Sequence, residues 1–215
     1  MQPQSLRDII GQPIVEHLQR YAANPHPNCF LLSGPPGTGK SATARALAAD
    51  LGCPDEFSGF LTISSADLTA DNIREYFGHK LRLRPLTGSG WKCLLIEELD
   101  GVTSSQAERL LKIALDKNNL PAKTTIIATS NNVLGIPLAL RNRFRHAEFS
   151  NGPEFRKACL EHLAQRWQKD APGEPLPRTF WHFGQCGDGF SMRSACDEYA
   201  QCLEMLQSSF TRGQQ

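Results

Sequence analysis

The chain has 215 residues, 40% hydrophobic and 21% charged, enough for one domain or one domain with a small appendage. Its 23 Lys and Arg against 22 Asp and Glu leave a net charge of +1, which excludes nucleic-acid binding by bulk charge and leaves only a local patch. No apolar run nears the roughly 20 residues that cross a bilayer, and Met1-Gln2-Pro3-Gln4-Ser5 lacks the basic flank and apolar stretch of a secretion signal.

In chain order, Cys29–Leu32 is expected as a strand and Lys40–Leu51 as an alanine-rich helix. Phe60–Ile63 is a second strand, followed by a helix within Asp71–Leu83. Cys93–Ile96 is a third strand, and Ser104–Asp116 a helix with Leu110, Leu111 and Leu115 near one face. Thr124–Ala128 and the short Ala147–Phe149 complete five strands. Continuously apolar strands that alternate with helices imply a parallel sheet covered on both faces. Beyond Ser150-Asn151-Gly152-Pro153 only helices are expected, at Glu154–Gln168 and Met192–Leu206, joined by a proline-containing connector. The predicted organisation is an α/β core over 1–150 and an all-helical lid over 151–215.

Seven cysteines with no C-x-x-C pair fit reduced thiols in a soluble, cytoplasmic protein. Cys29 and Cys93 lie in apolar runs and are expected to be buried. The spacing of His182, Cys186, Cys196 and Cys202 does not match a zinc site.

Gly34-Pro35-Pro36-Gly37-Thr38-Gly39-Lys40-Ser41 fits G-x-x-x-x-G-K-[ST], after a strand and at the start of a helix. Glycines let backbone N–H groups close around phosphate oxygens, and the helix N-terminus adds partial positive charge. Ala42 lies in the same first turn. Lys40 supplies a cation for the β- and γ-phosphates and Ser41 a hydroxyl for Mg²⁺. Cys93-Leu94-Leu95-Ile96-Glu97-Glu98-Leu99-Asp100 ends an apolar strand in carboxylates. Glu97 is expected on the Mg²⁺ side and Glu98 beside an attacking water.

These two motifs, in this order and spacing, resemble the AAA+ ATPases, with further matching segments along the chain. Asp8-Ile9-Ile10-Gly11-Gln12 is similar to the N-terminal segment that lies over adenine, which implies Ile9, Ile10 and Gly11 as base-binding residues. Ala128-Thr129-Ser130-Asn131 resembles the sensor-1 element and makes Asn131 a positioner of the water. Pro137-Leu138-Ala139-Leu140-Arg141-Asn142-Arg143-Phe144 resembles the arginine-finger segment, with Arg143 the matching position and Arg141 the second candidate. Gly189-Phe190-Ser191-Met192-Arg193 resembles sensor 2 and sends Arg193 to the γ-phosphate. The implied activity is Mg-dependent ATP hydrolysis within an assembly of AAA+ subunits.

Ser64-Ser65-Ala66-Asp67 and Asp71-Asn72-Ile73-Arg74-Glu75 narrow the resemblance to clamp loaders of the replication factor C type. That implies work in DNA replication or repair, with a sliding clamp and DNA as partners. Three departures stand out. Glu97 replaces the usual Asp, moving the carboxylate by about 1.5 Å. These 215 residues leave no room for a collar domain. The finger sits in Asn142-Arg143-Phe144 instead of the clamp-loader S-R-C.

Arg74, Lys80, Arg82, Arg84 and Lys92 against Asp71 and Glu75 form the candidate DNA patch. Tyr76-Phe77-Gly78 has the composition of a peptide-threading pore loop, but its place on a helical run favours core packing for Phe77. A protein remodeller, and a nucleotide switch that scarcely hydrolyses because of Glu97, are the alternatives.

Overall fold

A computed structural model describes residues 3–180 and 190–212. Its strands are β1 (Asn28–Ser33), β2 (Phe60–Ser64), β3 (Lys92–Glu97), β4 (Thr124–Ser130) and β5 (Arg145–Glu148). They form one sheet in the order β2-β3-β4-β1-β5, every pair parallel. Side-chain alternation divides the strands between two cores. Phe30, Leu32, Cys93, Leu95 and Ile127 face α1 (Ile14–Ala23) and α2 (Lys40–Asp50). Cys29, Leu31, Leu94, Ile96 and Ile126 face α3 (Ala70–Gly78), α4 (Ser105–Ala114) and the short α5 (Leu138–Arg141). Both faces are covered, so β1, β3 and β4 read as apolar runs. The buried Cys29 and Cys93 sit in opposite cores.

The five-stranded parallel sheet agrees with the sequence reading, and the differences are local. Helix α1 was not expected; it follows Pro13 and buries Val15, Leu18 and Tyr21 at a spacing of three. Helix α3 stops at Gly78, where His79 leaves helical geometry, and a 3₁₀ turn covers Lys80–Arg82. β5 starts two residues early because Arg145–Glu148 pairs with Phe30–Ser33.

Helices α6 (Pro153–Asp170) and α7 (Met192–Arg212) build a third, separate cluster. Phe155, Cys159, Leu163 and Trp167 recur every fourth residue along α6 and meet Phe180, Phe190, Ala195 and Tyr199. A spacing of four keeps them on one helix face. The Trp167 indole N–H donates to the Glu174 carbonyl, and the Tyr199 hydroxyl donates to Asp170 Oδ2 at 2.7 Å. No described helix is long and apolar enough to cross a membrane. Among the described residues no group of His, Cys, Asp and Glu has metal-holding geometry; His182 and Cys186 lie outside them.

Candidate functional site

The order of the strands places the ends of β1, β3 and β4 together, because the chain leaves β1 for the far edge at β2 and returns strand by strand. Ligands of open α/β sheets bind outside such strand ends. The loop after β1 opens at Gly34, whose N–H donates to the Ser130 carbonyl of β4. A Cβ at Gly34 would lie 2.3 Å from the Phe149 carbonyl oxygen, and φ is +138° there. Only glycine allows that approach.

Lys40, with 8% of its surface exposed, opens α2. Its ammonium donates to the Gly34 carbonyl (2.7 Å), the Pro35 carbonyl (2.8 Å) and Asn131 Oδ1 (2.9 Å). Burial pushes the ammonium down to about 8; the Asp100 carboxylate works against that shift and Arg193 adds to it. The N–H groups of Gly37, Thr38 and Gly39 donate to no backbone carbonyl among the described residues. Those of the first turn of α2 have no intrahelical acceptor. Together they form a cradle of outward donors at a helix N-terminus, suited to an anion of several oxygens.

A cavity of about 580 Å³ opens on this cradle, lined by Lys40, Ser41, Glu97, Glu98, Asn131 and Arg193 together with Pro36, Gly37, Gly39 and Ala42. Glu97 is half-buried at the end of β3. Glu98 follows with φ +57°, a left-handed conformation rare outside glycine that costs on the order of 1 kcal/mol and gathers at functional sites. Its N–H is held by Thr129 Oγ1 at 3.2 Å, and neither glutamate carboxylate pairs with another described group. The sequence reading missed Thr129, and also Asp100, whose Oδ2 accepts the Asn132 N–H at 3.1 Å and fixes the loop after Asn131.

A second cavity, of about 540 Å³, continues from the first and is lined by Ile9, Ile10, Thr38, Gly39, Ala42 and Phe155 among others. Gly34 and Pro35 line neither cavity; their carbonyls hold Lys40. Gly11 also lines neither. At φ +65° it lies against α6, where a Cβ would come within 3.1–3.2 Å of Phe155 and Ala158.

Gln12, not assigned from the sequence, is buried and joins three segments. Its Nε2 donates to the carbonyls of Thr38 (3.3 Å) and Ser150 (2.9 Å), and its Oε1 accepts from the Ser150 N–H (3.1 Å). Gln12→Ala strands the carbonyl of the buried Thr38 at about 1–3 kcal/mol and frees the exposed Ser150 from its tether. A melting temperature lowered by several degrees, with weaker ATP binding, is expected in differential scanning fluorimetry and titration.

The start of α7 reaches the same loop. The Met192 N–H donates to the Gly37 carbonyl at 3.1 Å, and a Cβ at Gly37 would lie 2.0 Å from Ser191 Oγ. Gly37→Ala therefore displaces α7 and strains a φ of +75°. ATP affinity is expected to fall at least about tenfold, read by titration with a fluorescent analogue.

Arg143 lines neither cavity and pairs with Asp116 at 3.1 Å. Arg141 stands near it in the chain, its Nε buried without a hydrogen-bond partner among the described residues. Arg74 pairs with Asp71 (2.7 Å) and Lys80 with Glu75 (3.0 Å); Arg82 Nε donates to the Phe77 carbonyl (3.2 Å). Lys92 is buried, and Arg84 is exposed. Phe77 packs in the core, so Tyr76-Phe77-Gly78 is not a pore loop.

The residues present suit a magnesium nucleotide. A glycine-lined loop leaves room for phosphates, and the Ser41 hydroxyl and Glu97 carboxylate are the hard oxygen donors that Mg²⁺ takes. A family model described as the ATPase family associated with various cellular activities matches residues 30–151. The replication factor C small subunit of Archaeoglobus fulgidus is 33% identical over 104 residues, 47% of this chain and 33% of that protein. Mouse replication factor C subunit 5 is 29% identical over 172 residues, 78% of this chain and 50% of that protein. The solved structure of a point mutant of Thermotoga maritima RuvB is similar at a TM-score of 0.71 and 20% identity, over 97% of this chain and 67% of that one; it speaks for the fold alone. The chain spans a third to a half of the length of these two curated relatives.

Proposed function

We propose, from the premise that this chain belongs to the ATPase family associated with various cellular activities, that it binds and hydrolyses ATP as one subunit of a clamp-loader-like assembly. The observation that carries this reading is the convergence of Lys40, Ser41, Glu97, Glu98, Asn131 and Arg193 on one cavity. Phosphates would lie on the 34–41 loop and the base beside Ile9 and Ile10. Mg²⁺, held by Ser41 and Glu97, would supply charge neutralisation on the phosphate oxygens.

Glu98 orients and deprotonates the attacking water, and Asn131 assists. Lys40 exchanges its loop carbonyls for phosphate oxygens. Arg193 reaches in from the lid, and Arg143 serves a neighbouring subunit's ATP. Phosphoryl transfer of this kind is mostly positioning and charge stabilisation. Because α7 is hydrogen-bonded to the loop at Gly37, a change in the phosphates moves the lid, and with it the next subunit.

DNA and a sliding clamp are the proposed partners, in replication or repair. Light scattering with and without a non-hydrolysable ATP analogue, then with primer–template DNA, tests this reading. Assembly promoted by nucleotide and further stabilised by DNA is expected. A monomer under all three conditions would overturn it. An assembly indifferent to DNA but activated by unfolded protein would replace the clamp-loader reading with a remodeller.

A further inference from the structure

At the end of the sheet opposite the nucleotide cavity, Lys92 opens β3 with 9% of its surface exposed. Its stem packs over Gly59, where a Cβ would lie 2.9 Å from Pro85 Cγ and 3.2 Å from Lys92 Cγ. Its N–H donates to the Lys123 carbonyl at 2.8 Å. Burial, and then the charges of Arg82 and Lys123, hold the ammonium below the usual lysine range. Among the described residues no carboxylate pairs with Arg82, Lys92 or Lys123. A buried charge facing only like charges is a costly arrangement in the free protein.

Phe57, Leu83 and Leu86 border this cluster, 70%, 53% and 84% exposed. The segment bearing the two leucines is fastened down. Leu86 and Thr87 donate their N–H groups to the Phe57 carbonyl at 3.0 and 3.4 Å, and Ser89 donates its own to the Gly52 carbonyl at 3.2 Å. The Ser89 hydroxyl reaches the Leu51 carbonyl. Gly88 lies so close to Gly52 that a Cβ would stand 2.3 Å from its carbonyl oxygen. Apolar side chains held in place while exposed mark a contact surface, and a prepaid backbone lowers the ordering cost of binding.

We propose that Arg82, Lys92 and Lys123, flanked by Phe57, Leu83 and Leu86, form a docking surface for an acidic segment of a partner protein that carries leucine or aromatic anchors. The carboxylates would complete the three cations, and the anchors would cover the apolar rim. A phosphate backbone answers the cations but gains little from Leu83 and Leu86, which favours a protein partner over nucleic acid. The surface lies outside both nucleotide cavities, so it stands or falls independently of the ATPase reading.

The probe is a fluorescein-labelled peptide alternating Glu with Leu and Phe, followed by anisotropy on the full chain. Saturable binding is expected, weakened at least about tenfold when Gln replaces Glu or Ser replaces Leu and Phe in the peptide. Lys123→Glu and Leu86→Ser in the protein are each expected to weaken it by about as much, and both variants should bind an ATP analogue normally, which reports their folding. No saturable binding, equal affinity for the Gln peptide, variants that bind as wild type, or equal or tighter binding of a labelled oligothymidine would each overturn the proposal.

Discussion

Glu98→Gln is expected to lower single-turnover ATP hydrolysis by roughly 10²–10⁴ while ATP affinity stays within about twofold. The side chain has no partner among the described residues, so its replacement breaks no internal contact. The left-handed backbone at φ +57° and the hydrogen bond from its N–H to Thr129 are independent of the side chain, so the fold tolerates the change. What would be lost is the carboxylate proposed to take a proton from water beside the phosphate cradle. Rapid-quench measurement at saturating ATP, with titration of a fluorescent analogue in parallel, separates chemistry from binding. Equal rates in wild type and variant would make the chain a nucleotide-dependent switch, with Glu97 in place of Asp as the residue to change next.

Arg143→Ala is expected to cost about 10³–10⁵ in turnover without weakening ATP binding. Arg143 lines neither cavity of its own chain and is held at the surface by Asp116, a half-exposed pair that contributes little to stability. Its guanidinium is partly exposed beside Asp116, which the proposed role toward a second copy requires. Mixing Arg143→Ala with Lys40→Ala subunits should restore part of the activity, since the first keeps an intact phosphate loop and the second an intact finger. Two inactive variants that stay inactive together would remove Arg143 from the site and make Arg141 the next residue to test.

The strands were legible because a doubly covered parallel sheet writes itself as apolar runs. The phosphate loop was legible because glycine and lysine sit at fixed offsets between a strand and a helix. The clasp at Gln12 was not. Its partners Thr38 and Ser150 lie 26 and 138 residues away, and no local pattern marks a glutamine for such distant carbonyls. Thr129 and Asp100 were missed for the same reason: each holds a backbone N–H from another segment, a role that exists only once β3 and β4 pair. Helix α1 had a readable signal in Val15, Leu18 and Tyr21, overlooked beside the stronger motif downstream. The basic run was legible as composition but not as contacts: Arg74 and Lys80 pair at the surface with the acids three and five residues away, and Lys92 packs behind Gly59 and Pro85.

The account rests on a site that holds ATP within one chain and is completed by Arg143 of a neighbouring copy. Phosphate release at saturating Mg-ATP, followed over a dilution series of the wild-type protein, addresses that claim directly. Turnover per chain is predicted to rise steeply with concentration and to level off as assembly completes. Constant turnover per chain, down to dilutions at which the protein is monomeric, would contradict it.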